Sequence, residues 1–280
     1  MHNPKLRLLL AAVLFPGMIG LLVWRWISDE GSAQEHFERG KAHFKGRNYD
    51  QALKELDKAI RIDPKQAESH FYRAWAYEKK DDYDRAIEEY TIAISLKSDY
   101  SDAFHGRGVC HYEKHQFDHC IIDESAAIRI DPDYGDAFYT RGLANREKRH
   151  FDKAIEDLST VIRLKPNDSR AYLNRGIAHH ENGATNKAVA DLSDAILLNP
   201  KLAPAYIRRA RIYLQQNEPD KAINDLTEVI RLKPDNAEAY VLRGYLYFKK
   251  GDIPKADADR DRAKELDPTI VDRLEEKNGK

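Results

Sequence analysis

Histidines are the first candidates for a metal-binding or catalytic role in this chain, because an imidazole can bind a metal ion or exchange a proton near neutral pH. His105, His111, His115 and His119 lie in one short stretch. A spacing of four residues places His111 and His115 on one face of a helix, an arrangement that can serve a metal. The segment HYEKH nevertheless has its glutamate at neither of the positions that zinc proteases use. We therefore favour polar surface histidines, or a core pair of His111 with Glu124, over a metal site.

No known catalytic motif accompanies these histidines. The sequence contains no G-x-S-x-G segment, no phosphate-binding P-loop and no dinucleotide-binding glycine pattern. We predict a chain that is not an enzyme and that has no bound metal or cofactor. Its formal net charge of −1 also gives no reason to expect nucleic-acid binding, which calls for a clearly basic surface.

The elements that must position any site are internal repeats. The segment 136–168 matches a close copy of itself when it is shifted by about 34 residues in either direction. Self-similarity at a fixed period is typical of architectures in which each unit packs only against its neighbours. A proline closes every unit except one, which has Ser98 there: Pro64, Pro132, Pro166, Pro200, Pro234 and Pro268.

Small residues recur inside each unit in a pattern that resembles the tetratricopeptide repeat. With the closing proline as position 32, Ala33 is position 1 of the first unit. Small side chains at positions 8, 20 and 27 would let two antiparallel helices approach closely. Position 8 is Gly40, Ala74, Gly108, Gly142, Gly176, Ala210 and Gly244, position 20 is Ala52, Ala86, Cys120, Ala154, Ala188, Ala222 and Ala256, and position 27 is Ala59, Ala93, Ala127, Val161, Ala195, Val229 and Ala263. The resemblance divides residues 33–270 into seven repeats: 33–66, 67–100, 101–134, 135–168, 169–202, 203–236 and 237–270.

This resemblance implies an all-α fold, a right-handed α-solenoid of antiparallel helix pairs. We expect a first helix near positions 1–14 of each repeat and a second near positions 18–31. In tetratricopeptide families the first helices line a concave groove that holds peptides, which here would include positions 2, 5, 6, 9, 12 and 13. Packing of the inner helix faces explains any single one of these residues equally well. The partner-binding residues implied by position are Phe37, Lys41, Tyr72, Trp75, Tyr112, Tyr139, Asn174, Arg208, Arg211, Tyr245 and Phe248.

A subset of the family grips a C-terminal carboxylate with residues from three successive repeats. Asn174 and Arg208 match two of those positions, whereas Tyr139, Leu143 and Pro204 occupy the others. The resemblance therefore does not support that clamp. It leaves open a looser site for an anionic peptide around Asn174, Arg208 and Arg211.

Position 7 departs from the family, which usually has leucine there. It is arginine in every repeat, and position 23 is always acidic. A charge beside a hydrophobic core is costly unless it is paired and hydrogen-bonded. We therefore predict a ladder of arginine–carboxylate bridges within or between repeats, in preference to an arginine-lined groove for anions. The arginines are Arg39, Arg73, Arg107, Arg141, Arg175, Arg209 and Arg243, and the acidic residues are Glu55, Glu89, Asp123, Asp157, Asp191, Asp225 and Asp259.

Cys110 and Cys120 are the two cysteines of the chain, and they replace alanine at positions 10 and 20 of the third repeat. We predict two buried free thiols in preference to a disulfide, which only an oxidising compartment would permit. The last repeat has Asp257, Arg260 and Lys264 at positions that are mostly apolar earlier in the chain. Such residues indicate a polar cap, followed by a C-terminal tail at 271–280.

The first thirty residues differ in kind from the repeats. The run Leu8–Trp24 carries no charge and follows Lys5 and Arg7. With its flanks, the segment 6–27 is long enough to span a bilayer core of about 30 Å. We predict an N-terminal flank at 1–5, an uncleaved transmembrane signal-anchor helix at 6–27 and a short linker at 28–32.

A cleaved signal peptide is the alternative interpretation, with Gly31-Ser32-Ala33 as the cleavage site. The apolar run is longer than such peptides usually have, which favours the anchor. Basic residues before the span favour a single-pass protein of a bacterial inner membrane with its repeats in the periplasm.

Together these observations predict a membrane-anchored, non-catalytic adaptor that binds a protein or peptide partner in the groove of its repeats. A self-assembling structural protein is the main alternative. Metal binding or secretion after cleavage are the others.

Overall fold

A computed structural model describes residues 31–270 of the chain. These residues form fourteen α-helices, and none of them lies in a β-strand. They fall into two compact units, an N-terminal unit that ends at Ile130 and a C-terminal unit that begins at Asp131. The N-terminal unit contains α1 (Ala33–Lys45), α2 (Tyr49–Ile62), α3 (Ala67–Glu78), α4 (Tyr83–Leu96), α5 (Ser101–Glu113) and α6 (Phe117–Ile130). The C-terminal unit contains α7 (Gly135–Glu147), α8 (Phe151–Leu164), α9 (Ser169–Glu181), α10 (Thr185–Leu198), α11 (Ala203–Gln215), α12 (Pro219–Leu232), α13 (Ala237–Lys249) and α14 (Ile253–Leu266). The predicted all-α architecture of helix pairs is confirmed.

Helix boundaries follow the period of the sequence. The first helix of each pair begins at position 1, and the second begins at position 17, one residue earlier than predicted. In the first, second and seventh repeats the residue at position 16 caps this helix: the side chains of Asn48, Asp82 and Asp252 accept hydrogen bonds from backbone N–H groups of the first turn, whereas the fourth, fifth and sixth repeats have no such cap. A side chain that caps a helix in this way fixes its first residue. The residue at position 17 lies in the helix in every repeat, with or without a capping side chain, and not in the turn before it.

A left-handed residue at position 15 turns the chain inside every pair. Glycine takes this backbone conformation freely, whereas another residue there costs roughly 1–2 kcal/mol. Most repeats nevertheless have another residue, so contacts between the two helices must impose the turn. The residues with positive φ at this position are Arg47, Asp81, His115, Arg149, Gly183, Asn217 and Gly251.

Small residues allow the two helices of a pair to approach closely, as predicted. Ala52 and Leu56 of α2 are fully buried against the first helix of their repeat. A Cβ atom added to Gly40 would lie only 2.7 Å from Cγ of Leu56. Position 8 of this repeat therefore accepts glycine and no larger residue without rearrangement.

Contacts between successive pairs bring the first helices together. In the N-terminal unit α3 contacts both α1 and α5, and in the C-terminal unit α9 contacts both α7 and α11. In each unit these first helices form a common surface, which we call the first-helix face. The resemblance to repeat proteins placed the partner-binding residues on this surface.

Arginine–carboxylate pairs join the helices of most repeats, as predicted. The guanidinium of Arg175 donates from Nε and Nη2 to the two carboxylate oxygens of Asp191, at 2.9 and 2.7 Å. Its Nη1 donates to Oγ of Ser159, on the second helix of the preceding repeat, at 3.1 Å. Arg175 thus ties its own repeat together and also holds the preceding one, as Arg107, Arg209 and Arg243 do through Thr91, Ser193 and Thr227. The same bidentate pairing joins Arg107 to Asp123, Arg141 to Asp157, Arg209 to Asp225 and Arg243 to Asp259.

The prediction is wrong for the first repeat. Arg39 is exposed, and its nearest carboxylate is that of Glu35 at 3.7 Å. Glu55 instead contacts Nδ1 of the buried His36 at 2.6 Å and accepts a hydrogen bond from Lys58. In this repeat the histidine at position 4 has the partner that position 7 has elsewhere. In the second repeat the two positions share it, because His70 and Arg73 contact different oxygens of Glu89 at 2.8 and 2.6 Å.

The third repeat also corrects the predicted histidine pair. Glu124 is fully buried, and its two carboxylate oxygens lie 3.0–3.1 Å from Nδ1 of His105. The histidine that contacts Glu124 is therefore His105, whereas the prediction named His111. The ring of His111 contacts Gln116 and stacks on His119. His115 occupies the left-handed turn, so it does not share a helical face with His111. The described residues contain no group of three or more potential ligands that could hold a metal ion.

Both cysteines are buried and unpaired with each other, as predicted. Burial raises the pKa of the Cys110 and Cys120 thiols, which keeps both thiols protonated and unreactive. At the other end of the chain, Arg260 and Lys264 of α14 are exposed, in agreement with a polar cap.

The predicted anchor at 6–27 and the tail at 271–280 lie outside the described residues. Within residues 31–270, no helix has the length and apolar character that a membrane span requires.

Candidate functional site

Four of the predicted partner-binding residues meet in the N-terminal unit. Phe37 on α1 packs edge-on against Tyr72 on α3, with 5.6 Å between ring centroids. Nζ of Lys41 lies 5.5 Å from the Phe37 ring and 5.7 Å from the Tyr72 ring. Trp75 packs on Phe44 at 4.4 Å. Phe37 is only 6% exposed, so it serves the core of this unit and has little surface for a partner.

Three other predicted residues lie apart from that cluster. Tyr112 packs against Phe117, at the turn between α5 and α6. Tyr245 and Phe248 lie on α13 with 48% and 61% of their surface exposed. Exposed aromatic side chains on a first helix are suitable anchors for a partner, but no cavity adjoins them among those described.

Predicted residues of the C-terminal unit form a hydrogen-bonded chain across α7 and α9. Asn174 donates from Nδ2 to the hydroxyl of Tyr139 at 2.9 Å, and its Oδ1 accepts from Nη1 of Arg146 at 2.8 Å. Arg170 lies over the Tyr139 ring at 5.5 Å. Burial raises the pKa of Tyr139, so its hydroxyl stays protonated and holds Asn174 in one orientation.

A cavity of 520 Å³ opens beside this chain on the first-helix face of the C-terminal unit. Arginines contribute most of its charge, with Arg146 at the end of α7, Arg149 in the turn that follows and Arg208 on α11. Phe151 and Ile177 supply apolar walls. The two acidic residues that line it are Glu147 and Glu181.

A smaller cavity of 120 Å³ adjoins the first one and shares Arg208 with it. Arg211 and Gln215 from α11 and His180 from α9 line this second cavity. Nδ1 of His180 is buried without a hydrogen-bond partner among the described residues. Two predicted residues, Arg208 and Arg211, thus meet at cavities between α9 and α11.

Positive charge is concentrated around these cavities. Loss of water around its guanidinium, followed by the charge of Arg211, lowers the pKa of Arg208, and Glu181 only partly opposes this effect. Arg208 still remains charged at neutral pH, because arginine loses its proton only in strongly basic solution. Such a surface favours ligands that carry negative charge.

Arg146, Arg149, Ile177 and Glu181 were missing from the residues that the sequence singled out. Arg146, Ile177 and Glu181 occupy positions 12, 9 and 13, which the resemblance assigns to the groove, so position alone could have found them. Arg149 occupies the left-handed turn at position 15, outside those positions. No pattern in the sequence indicates that a turn residue reaches this cavity.

Models of the tetratricopeptide repeat match much of the chain. One described as a tetratricopeptide repeat matches residues 37–101, and another of the same description matches residues 169–202 and 237–270. A third, described as a TPR repeat, matches residues 146–183 and 210–251.

Solved structures of repeat proteins share the fold. The C-terminal part of a TPR repeat-containing protein from Cytophaga hutchinsonii is 24% identical, with a TM-score of 0.69 over 83% of this chain and 96% of that one. A tetratricopeptide repeat protein from Parabacteroides merdae is 19% identical, with a TM-score of 0.66 over 86% and 96% of the two chains. YrrB, described as a TPR protein with an unusual peptide-binding site, is 23% identical, with a TM-score of 0.58 over 70% and 97%. No curated protein matches the sequence.

Proposed function

Because this chain contains tetratricopeptide repeats, we propose that it is a non-catalytic adaptor that binds a peptide or protein partner on its first-helix face. The observation that carries this proposal is the pair of adjoining cavities in the C-terminal unit, which α7, α9 and α11 line with arginine and apolar side chains. Arginine and large apolar residues contribute most of the energy in protein interfaces. The peptide-binding site named for YrrB, a protein of the same fold, is in keeping with this function.

Site-directed photo-crosslinking with a selected peptide tests the proposal. Peptides would first be selected from a random library on the full chain, and a photoreactive amino acid would replace Gln215, an exposed residue of α11 beside the smaller cavity. We expect the bound peptide to crosslink at this position. The matched control places the same photoreactive residue at Lys153, which is also exposed but lies on the second helix α8. Crosslinks at Lys153 alone, or no peptide selected above background, would contradict binding on the first-helix face.

We further propose that seven repeats, 33–66 through 237–270, follow a transmembrane anchor at 6–27, and that the anchor holds them on the periplasmic side of a bacterial inner membrane. The support is the uncharged run Leu8–Trp24 with basic residues before it. We expect the full chain to stay with membranes after alkaline extraction and to be digested by protease added to spheroplasts. A variant without residues 1–30 should be released by the same extraction. If the repeats resist the protease until the membrane is dissolved, they lie on the cytoplasmic side and the proposed topology is wrong.

A further inference from the structure

We infer that His70 keeps a second proton in the folded N-terminal unit, as a positively charged imidazolium, and that loss of this proton above neutral pH weakens the attachment of α3 to its neighbours. The contacts that carry the inference join His70 on α3 to Glu89 on α4 and to the backbone carbonyl of Pro64, in the turn before α3. We call these three groups the histidine joint. The inference adds regulation by pH, and it stands whether or not a peptide binds in the C-terminal unit.

Both ring nitrogens of His70 face hydrogen-bond acceptors. Nδ1 lies 2.8 Å from Oε2 of Glu89, and Nε2 lies 3.2 Å from the carbonyl oxygen of Pro64. The residue is only 4% exposed, so water does not replace these contacts. A neutral imidazole has one N–H group and would leave one oxygen facing a nitrogen lone pair. An imidazolium has two N–H groups and satisfies both oxygens, so the folded chain favours the charged ring.

Glu89 keeps this proton on the ring because it stays ionised itself. Burial acts to raise the pKa of Glu89, but hydrogen bonds from His70 and Arg73 outweigh it and lower this pKa. Nη2 of Arg73 donates to Oε1 of the same carboxylate at 2.6 Å. At neutral pH a carboxylate of this kind can only accept hydrogen bonds. Its contact with the imidazolium is therefore a charge-assisted hydrogen bond, which is stronger than a neutral one.

The other charged groups around the joint lie on α2 and α3. Arg73 on α3 donates from Nη1 to Asp57 on α2 at 2.8 Å, besides its bond to Glu89. Two carboxylates thus accompany two cations, the imidazolium and the guanidinium. Among residues 31–270, no charged side chain of α1 or α5 forms an ion pair with the His70 ring. Loss of the proton from His70 leaves this group of charges negative and leaves one acceptor of the ring without a donor.

Position 4 has a different solution in the C-terminal unit. The hydroxyl of Tyr206 donates to the carbonyl of Pro200 at 3.5 Å, the contact that Nε2 of His70 makes with Pro64. A phenol donates this bond without gaining a charge, and it keeps its proton near neutral pH. The residues at position 4 of this unit are Phe138, Tyr172, Tyr206 and Tyr240.

Arg73 shows the effect of the histidine on the usual pairing. In the later repeats the arginine binds both carboxylate oxygens through Nε and Nη2, as Arg209 does with Asp225. In the second repeat His70 occupies one of these oxygens, and Nε of Arg73 is buried without a partner among residues 31–270. The arginine pairing is thus incomplete, and the histidine supplies the missing donor only while it is protonated.

The neighbouring repeats of the N-terminal unit contain related contacts. The same separation of 19 residues joins Nδ1 of His36 to Glu55 at 2.6 Å and Nδ1 of His105 to Glu124 at 3.0–3.1 Å. In the C-terminal unit, by contrast, Nε2 of His179 lies 3.8 Å from Asp191, and burial lowers the pKa of His179. Close contacts between histidine and glutamate therefore characterise the N-terminal unit.

The joint controls the helix that carries much of the first-helix face in this unit. Tyr72 and Trp75 lie on α3 and pack on Phe44 of α1, at 5.7 and 4.4 Å between ring centroids. Pro64 ties the beginning of α3 to the turn before it, and Glu89 ties its side to α4. When the joint opens, α3 loses both attachments, so the pH acts on the aromatic cluster of the first-helix face.

The direction of the pH effect follows from the number of bound protons. The folded chain keeps the second proton of His70, whereas a histidine in an unfolded segment releases it above about pH 6.5. The stabilisation is full below that pH and is lost as the pH rises further, because the folded chain must then give up its proton. The lowered pKa of Glu89 acts in another range, since its stabilisation is present at neutral pH and is lost only in strongly acidic solution.

Nitrogen resonances of the histidine rings test the charge directly, in the full chain labelled with ¹⁵N at histidine. His70→Phe and His70→Gln each identify the His70 signals by their absence. At about pH 7.5, where an ordinary histidine is mostly neutral, we expect His70 to have two protonated nitrogens. The reference is His150, an exposed residue whose side chain does not cap a helix, which should be neutral. A neutral His70 ring under these conditions would overturn the inference.

Hydrogen exchange of backbone amides measures the consequence for α3. At each pH the measured rate is divided by the intrinsic rate, so that the ratio reports local opening. Between about pH 6 and about pH 9 we expect the protection of α3 to fall about tenfold, the difference between a charge-assisted hydrogen bond and an ordinary one. The helix α11, which has Tyr206 at position 4, should keep its protection.

His70→Phe gives the second repeat the residue type of the later repeats and leaves both oxygens of Glu89 to Arg73. This variant should lose most of the pH dependence of α3, whereas His150→Gln should behave like the unsubstituted chain. An equal fall in the protection of α3 with and without His70 would show that another group titrates. An equal fall in α11 would show a general effect of pH, and either result would reject the histidine joint.

Discussion

Arg175→Leu is expected to lower the free energy of unfolding by about 3–5 kcal/mol, because it leaves a buried carboxylate without its partner. Asp191 is only 5% exposed, and both of its carboxylate oxygens accept hydrogen bonds from Arg175, at 2.9 and 2.7 Å. The hydrogen bond to Asp191 is also the main cause that raises the pKa of Arg175. The substitution removes the bond from Arg175 to Ser159 as well, so the preceding repeat loses one of its contacts.

A double-mutant cycle measures the pairing directly. Arg175→Leu, Asp191→Leu and the double variant would be unfolded with urea and followed by circular dichroism. We expect the double variant to lose less stability than the two single losses added together, because neither charge is then left alone. Arg163→Leu is the control, since it removes an exposed arginine of the same unit and should change stability by about 0.5 kcal/mol or less. Additive losses would show that the two residues act separately.

Gly106→Ala is expected to lower stability by about 1–3 kcal/mol, although alanine favours helices more than glycine does. Gly106 lies inside α5, where an added Cβ atom would come within 2.3 Å of Cζ of Tyr90. Tyr90 is 1% exposed, and its hydroxyl donates a hydrogen bond to Glu78 at 2.8 Å. The ring therefore has no room to move, and either the helices separate or the hydrogen bond breaks.

Two comparisons isolate the steric effect. Gly135→Ala should be neutral or stabilising, because the nearest atom to its added Cβ is Cε of the flexible Lys165 side chain, at 3.4 Å. In a Tyr90→Leu background, Gly106→Ala should cost less than it does alone, since leucine occupies the same position of four other repeats without reaching as far. Thermal unfolding of the unsubstituted chain, the three single variants and the double variant gives the comparison. Equal costs of Gly106→Ala in both backgrounds would exclude a clash with Tyr90.

The period of the sequence by itself determined the helical architecture and the pairing of position 7 with position 23. Both depend on residues that recur at fixed spacings. Arg175 and Asp191 are 16 residues apart, and this spacing places the two side chains opposite each other on the two helices of a pair. The prediction failed in the first repeat, where His36 competes for Glu55. Position 4 is histidine in the second repeat as well, but there His70 and Arg73 both contact Glu89, so the histidine alone did not decide the partner in the first repeat.

The candidate site depended on tertiary structure to a greater degree. Arg208 and Arg209 are adjacent in the sequence and identical in type, yet one is paired and the other lines a cavity. Arg149 reaches the same cavity from a left-handed turn. A repeat pattern fixes how the helices of one pair meet, because those contacts are local and recur. The open space between first helices depends on side chains from three successive repeats, and no single spacing in the sequence encodes that combination.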